Sequence, residues 1–213
     1  IIGAGNIGSL WDENSSGGEA KTHAKAFTQL AGCSLVSILD QDSQRARDAA
    51  TFWKIPHSTS LLSDFVDQDL DIVCLCTPES VRISVLKEIP AKQGMVLVCE
   101  KPLASTFKEA EEVVKLCHSK GWLLIVNFIR NFGVGFIELQ NLLKKQELGT
   151  LEKIVANYGK GFRNNGSHLL NALLQLTPKP KSAKLLAIHP DDRKLSDDKT
   201  CDVQIDFGSF YAY

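Results

Sequence analysis

Apolar and polar positions alternate along the chain in two different rhythms. In residues 1–127, short runs of Val, Ile, Leu and Cys recur at 1–3, 35–39, 72–76, 95–99 and 123–126. Runs this short and this apolar predict strands buried on both faces. Between them, residues 21–29, 43–53, 80–88 and 106–119 carry helix-like patterns. The last of these opens with Thr106-Phe107-Lys108-Glu109, the S/T-x-x-E form in which first and fourth side chains cap each other's backbone amides. Buried strands alternating with helices argue an α/β domain of the Rossmann type, a doubly wound parallel sheet covered on both faces.

After Asn127 the rhythm changes. A helical segment at 135–148, a strand at 151–158, a helix at 168–176 and strands at 183–188 and 203–207 follow in turn. They predict a second, α+β domain over residues 128–213, with an open, mostly antiparallel sheet that is incomplete in this chain. The charged stretch "HPDDRKLSDDK" between the last two strands reads as a solvated hairpin loop, and its acidic residues lack calcium-loop spacing. The sequence begins and ends inside strand-like runs, so further residues are expected at both ends.

Composition narrows the function classes. With 44% hydrophobic and 23% charged residues, the chain is globular in type. A net charge of -1 offers no electrostatic footprint for nucleic acid or an anionic membrane. No apolar run approaches the roughly 20 residues that span a bilayer, and "IIGAGNIG" has no charged leader. The six cysteines are scattered, and Cys74, Cys76 and Cys99 lie in strand-like runs where a thiol acts as a small hydrophobe. Cys74 and Cys76 would share a strand face, but no second Cys/His pair stands at zinc spacing, so no metal is expected. Unpaired cysteines argue a reducing, cytoplasmic compartment.

The chemistry begins at Gly3-Ala4-Gly5-Asn6-Ile7-Gly8, a G-x-G-x-x-G directly after a strand. Its glycines allow a tight turn, close approach of backbone to a pyrophosphate, and close helix packing. Asp40, closing "LVSILD", is the candidate acceptor for ribose hydroxyls, yet it lies 32 residues past Gly8 rather than the usual roughly 20. The polar stretch "SLWDENSSGGEAK" accounts for the excess, as an insertion of about a dozen residues where a helix should begin. Asp12 and Glu13 within it would be repelled by a pyrophosphate and are expected to point away or to belong to a mobile lid. A carboxylate at position 40 favours NAD over NADP, and Arg45 and Arg47 read as surface charges on the next helix. Trp11, His23 and Trp53 read as packing residues.

The segments "GAGNIG", "THAKAF", "DIVCLCTP", "CEKP" and "NNGSH", in this order, resemble the Gfo/Idh/MocA family. These are NAD(P)-dependent enzymes that include glucose-fructose oxidoreductase and inositol dehydrogenase. The resemblance spans about residues 1 to 176, with Glu100-Lys101-Pro102 as its most specific mark. Its opening and "NNGSH" look closest to members associated with surface-polysaccharide and nucleotide-sugar metabolism. It implies that Lys101 reaches a substrate hydroxyl beside the nicotinamide and that Pro102, often cis in the family, shapes the turn. Thr77 and Pro78, with Glu100, would lie near the cofactor, and His168 would be the general base. The implied substrate is a sugar, cyclitol or nucleotide-sugar derivative, and the implied assembly a homo-oligomer through the second-domain sheet.

Residue chemistry agrees with those roles. Oxidising a secondary alcohol needs a group to take the hydroxyl proton, and imidazole is suited to that near neutral pH. An ammonium on the same oxygen would stabilise the developing alkoxide. Tyr158, Lys160 and Arg163, with Asn164 and Asn165, are candidate substrate contacts. The bland alternative for Lys101 is a solvated turn cation paired with Glu100. Three residues depart from the family pattern: Asn164 and Asn171 replace aspartates, and Arg82 replaces a common histidine. These departures keep open a second reading, a catalytically silent dinucleotide-binding protein serving as sensor or subunit.

Overall fold

Ile2 is the centre of the first sheet. It bridges in parallel to both Leu39 and Leu75, donating to the Cys74 carbonyl at 2.8 Å and accepting from the Cys76 amide at 2.8 Å. On one side lie β1 (Ser37–Leu39) and β2 (His57–Thr59), and on the other β3 (Ile72–Leu75), β4 (Val96–Cys99) and β5 (Leu123–Val126). Every pairing described in this sheet is parallel. The lateral order is β2, β1, the Ile2 segment, β3, β4, β5, so the winding reverses at Ile2. Open α/β sheets bind ligands at such a switch point, beyond the carboxyl ends of the strands.

The computed structural model describes residues 1–13, 18–190 and 198–213. They divide into two compact units, Ile1–Asn127 and Phe128–Tyr213. Helices α1 (His23–Gln29), α2 (Ser43–Trp53), α3 (Leu62–Val66), α4 (Glu79–Glu88) and α5 (Phe107–Ser119) belong to the first. Alternation along β3 explains its unbroken apolar run. Val73 and Leu75 enter a core with Phe65, Leu86, Leu97 and Val113. Cys74 points the other way, into a core with Ile38, Ala24 and Ala49. Thr106 and Glu109 form the capping box at α5, the threonine hydroxyl accepting from the Glu109 amide at 3.2 Å. Two elements escape the sequence pattern. β2 is a half-buried edge strand of His57, Ser58 and Thr59, and α3 is too short to show a period.

The second unit holds α6 (Val134–Lys144) and α7 (Ser167–Leu176), with β6 (Lys153–Ile154), β7 (Ser182–His189), β8 (Thr200–Asp206) and β9 (Tyr211–Ala212). Its sheet runs β6-β9-β8-β7 and is mixed: β6–β9 is parallel, the other two pairings antiparallel. The strand expected at 151–158 shrinks to two residues because its partner β9 is only two residues long. Leu173 of α7 packs on Ile205, Phe207, Phe210 and Ala212. Most of the charged stretch joining β7 to β8, residues 191–197, lies outside the described residues. Among the described residues no helix is long and apolar enough to cross a membrane, and no group of three or more His, Cys, Asp or Glu could hold a metal.

Candidate functional site

Each glycine of the first turn has a separate reason. Gly3 has φ +98°, and a Cβ there would stand 3.0 Å from the Cys76 carbonyl. A Cβ on Gly8 would fall 2.0 Å from the Gly3 oxygen, so nothing larger packs. At Gly5 a Cβ would meet nothing within 4 Å. That open space beside bare backbone is what a pyrophosphate needs.

The insertion is a splice in a helix. Ser9 and Leu10 amides donate to the Gly5 carbonyl at 2.9 and 3.2 Å, completing one turn. The Ile7 and Gly8 carbonyls then accept, both at 3.0 Å, from His23 and Ala24 at the start of α1. In an unbroken helix they would accept from residues 11 and 12, so the bonding register skips twelve positions. Asp12 closes the neck of this excursion. Its buried Oδ2 accepts from the Lys21 and Thr22 amides, both at 2.8 Å, and from the Thr22 hydroxyl at 2.9 Å. Asp12 is therefore buried at this neck, 2% exposed. Convergent donors at the neck draw it inward. Glu13 takes the Ser9 hydroxyl, which also accepts from the Trp53 indole at 3.2 Å. Trp53 does pack, whereas Trp11 is 55% exposed and does not.

Asp40, at the end of β1, is tied directly to the glycine turn. Its Oδ2 accepts from the Ala4 amide at 2.8 Å and its Oδ1 from the Asp42 amide at 2.9 Å. Arg45 reaches back from α2 to both oxygens, at 3.2 and 3.4 Å. It is thus a surface charge, 40% exposed, that is also a partner of Asp40. Arg47 is a surface residue, bonded to Gln44 at 2.8 Å.

The turns after β3 and β4 are clamped together by Arg82. Its buried guanidinium donates to the Thr77 carbonyl at 3.0 and 2.8 Å, and to the Glu100 and Pro102 carbonyls. The Lys101–Pro102 peptide is cis, and Lys101 is half-buried. Glu100 Oε1 meets His23 Nε2 at 2.9 Å and accepts from the Asn127 amide at 2.6 Å. Burial would raise the Glu100 pKa, but the bonds to His23 and Asn127 outweigh it and hold the carboxyl below its usual value. Burial likewise opposes the His23 imidazolium, yet contacts with Cys74, Cys76 and Glu100 push its pKa far up. His23 is therefore an ion-pair partner as well as a packing residue. Beside the Gly3 turn, the buried Thr77 hydroxyl oxygen finds no hydrogen-bond partner among the described residues. A buried polar atom in that state calls for a ligand or a water.

In the second unit, His168 sits buried in the first turn of α7, edge-on to Phe128 with ring centroids 5.7 Å apart. Arg163, Asn164 and Asn165 lie on a π-helical turn, Phe162–Gly166, entered through left-handed Lys160 (φ 63°). Such turns are frequent at functional sites. Asp198 accepts from the Arg163 and Asn164 amides, both at 2.8 Å. The Tyr158 hydroxyl is committed to the backbone of β8, accepting from the Cys201 amide at 3.0 Å and donating to its carbonyl at 2.5 Å. Burial, aided by Cys201, pushes its pKa up to about 12. Asn171 donates to Asn131 Oδ1 at 2.6 Å.

Residues 1–128 match the family model described as an oxidoreductase family with an NAD-binding Rossmann fold. The chain belongs to this Gfo/Idh/MocA family. An uncharacterized oxidoreductase, YrbE, of Bacillus subtilis is 28% identical over 151 residues, covering 70% of this chain and 40% of the relative. Inositol 2-dehydrogenase of Rhizobium meliloti is 25% identical over 156 residues, covering 72% and 42%. Among solved structures, the WlbA dehydrogenase of Bordetella pertussis, in complex with NADH and UDP-GlcNAcA, superposes with a TM-score of 0.80. It is 19% identical, covers 99% of this chain and is itself covered to 64%, and at that identity it shows the fold alone. The chain spans less than half the length of the curated relatives it matches.

For a Gfo/Idh/MocA oxidoreductase, the described residues of the first unit fit a dinucleotide. The open Gly5 face, the Asp40 carboxylate and the unpartnered Thr77 hydroxyl line the switch point. Sequence reasoning missed the clamp by Arg82 and the capping by Asp12. The first left a signal: Arg82 lies four residues before fully buried Leu86, so the helix phase turns both inward. The second left none, because a carboxylate in a polar insertion reads as solvated.

Proposed function

We propose that the protein is an NAD-dependent dehydrogenase or reductase. Hydride would pass between a nicotinamide cofactor and a secondary hydroxyl or keto carbon of a sugar, cyclitol or nucleotide-sugar derivative. The observation that carries this reading is the open glycine turn bonded through Ala4 to Asp40 at the sheet's switch point. Asp40 gives a preference for NAD over NADP, since a carboxylate accepts ribose hydroxyls and repels a 2′-phosphate. The inositol substrate in one relative's name and the nucleotide sugar bound in one structural neighbour support the substrate class.

A bound nicotinamide would supply the hydride acceptor or donor. Lys101 stabilises negative charge on the reacting oxygen, and His168 takes or returns its proton. Self-association belongs to the same reading. A silent dinucleotide-binding protein retains one argument, the amide at Asn164. Arg82 no longer supports it, because three backbone carbonyls account for that guanidinium.

Fluorescence titration of the full-length protein with NADH, followed by NAD-linked assays on sugars, tests the reading. NADH binding with substrate-dependent NADH formation is expected. Lys101→Ala and His168→Ala should each lower turnover at least about a hundredfold while NADH still binds. Full activity in both variants would remove the assigned mechanism, and no NADH binding would remove the enzyme reading.

A further inference from the structure

Asp40, the carboxylate assigned to the adenosine ribose, is already full. An ionised carboxylate offers about four lone-pair positions, two on each oxygen. Oδ2 takes the Ala4 amide at 2.8 Å and Arg45 Nη1 at 3.4 Å. Oδ1 takes the Asp42 amide at 2.9 Å and the same Nη1 at 3.2 Å. The two backbone donors are held by the glycine turn and by the turn after β1. Only the Arg45 side chain is free to leave. It is 40% exposed, and its other carboxylate contact is with the exposed Asp42 at 3.4 Å.

A ribose diol can therefore reach Asp40 only by displacing Arg45. A 2′-phosphate brought to the same place would instead meet a guanidinium already standing there, with the planar fork that suits phosphate. The geometry points to Arg45 as the residue that sets cofactor preference. It masks the carboxylate that discriminates against a 2′-phosphate, competes with NAD for that carboxylate, and lends NADP(H) a cationic partner. The inference rests on the dinucleotide site proposed above and narrows its selectivity: both nucleotides bind, with NADH favoured less than Asp40 alone would dictate.

Arg45 can be changed without dismantling its surroundings. The cap at the start of α2 runs from Asp42 to the backbone amides of Gln44 and Arg45, at 3.0 and 3.2 Å, and does not need the guanidinium. The experiment is equilibrium fluorescence titration of the full-length protein and its Arg45→Ala variant, with NADH and NADPH in parallel. In the variant, the ratio of the two dissociation constants should move toward NADH by about tenfold or more. NADPH binding weakens, and NADH binding is kept or tightened. An unchanged ratio would overturn the inference, as would loss of NADH binding in the variant. It is also overturned if the unsubstituted protein binds NADH but not NADPH. Binding of neither nucleotide by the unsubstituted protein is a different failure. It removes the dinucleotide reading itself and takes this inference with it.

Discussion

Two carboxylates stand at strand ends of the same parallel sheet, and each has a cationic partner. At Glu100 the partners are buried: His23 is 8% exposed, Arg82 lies over the glutamate's own carbonyl, and Asn127 donates to the same carboxylate oxygen that meets His23. At Asp40 the partner is a long side chain 40% open to water. The first arrangement has nowhere to go, because removing any member strands charge in a low-dielectric interior. The second can exchange its cation for solvent or ligand at little cost. Burial of the partner thus separates a carboxylate that holds the Lys101 turn in place from one that is open to replacement.

Breaking the fixed carboxylate should have the largest effect. Glu100→Ala leaves the His23 imidazolium without its buried anion and should destabilise the first unit by about 3–5 kcal/mol. The denaturant midpoint measures this, and a shift under about 1 kcal/mol would show that the pair contributes little.

The pH dependence is the next largest. His23 has a raised folded pKa, so its contribution is complete below the unfolded value near 6.5 and declines as pH rises toward the folded one. Glu100 has a lowered folded pKa, so its contribution is present above the ordinary carboxylate value of 4.5 and is lost as pH falls through the folded value. Stability should therefore fall when pH is raised from 6.5 toward the alkaline range, and His23→Gln should remove that slope. Denaturant midpoints at several pH values decide it. Equal slopes in both proteins would mean that His23 is not charged in the fold.

The same contrast between buried and exposed partners explains what could be read in advance. The first unit's strands were legible because Val73 and Leu75 face one core and Cys74 the other, which leaves no polar position in the run. β2 was not, since an edge strand of His57, Ser58 and Thr59 buries too little to impose a pattern. The π-helical turn at Phe162–Gly166 has no sequence period of its own. At the site, the glycine turn and Asp40 announce themselves through local turn chemistry and spacing, once the twelve positions skipped by the bonding register are removed. Side-chain reach is not written in spacing. Arg45 returning to Asp40, His23 meeting Glu100 across 77 positions and Arg82 gathering three carbonyls all depend on the finished fold.

Removing the exchangeable partner should have the smallest effect on stability. A half-exposed Arg–Asp pair is screened by water and opposed by side-chain entropy, so Arg45→Ala should shift the denaturant midpoint by no more than about 0.5 kcal/mol. The Ala4 and Asp42 amides keep Asp40 satisfied without it. A loss of 2 kcal/mol or more would place Arg45 among the fixed cations with His23 and Arg82. The ribose carboxylate would then be part of the scaffold, and Arg45 would be held too firmly to give way to a nucleotide.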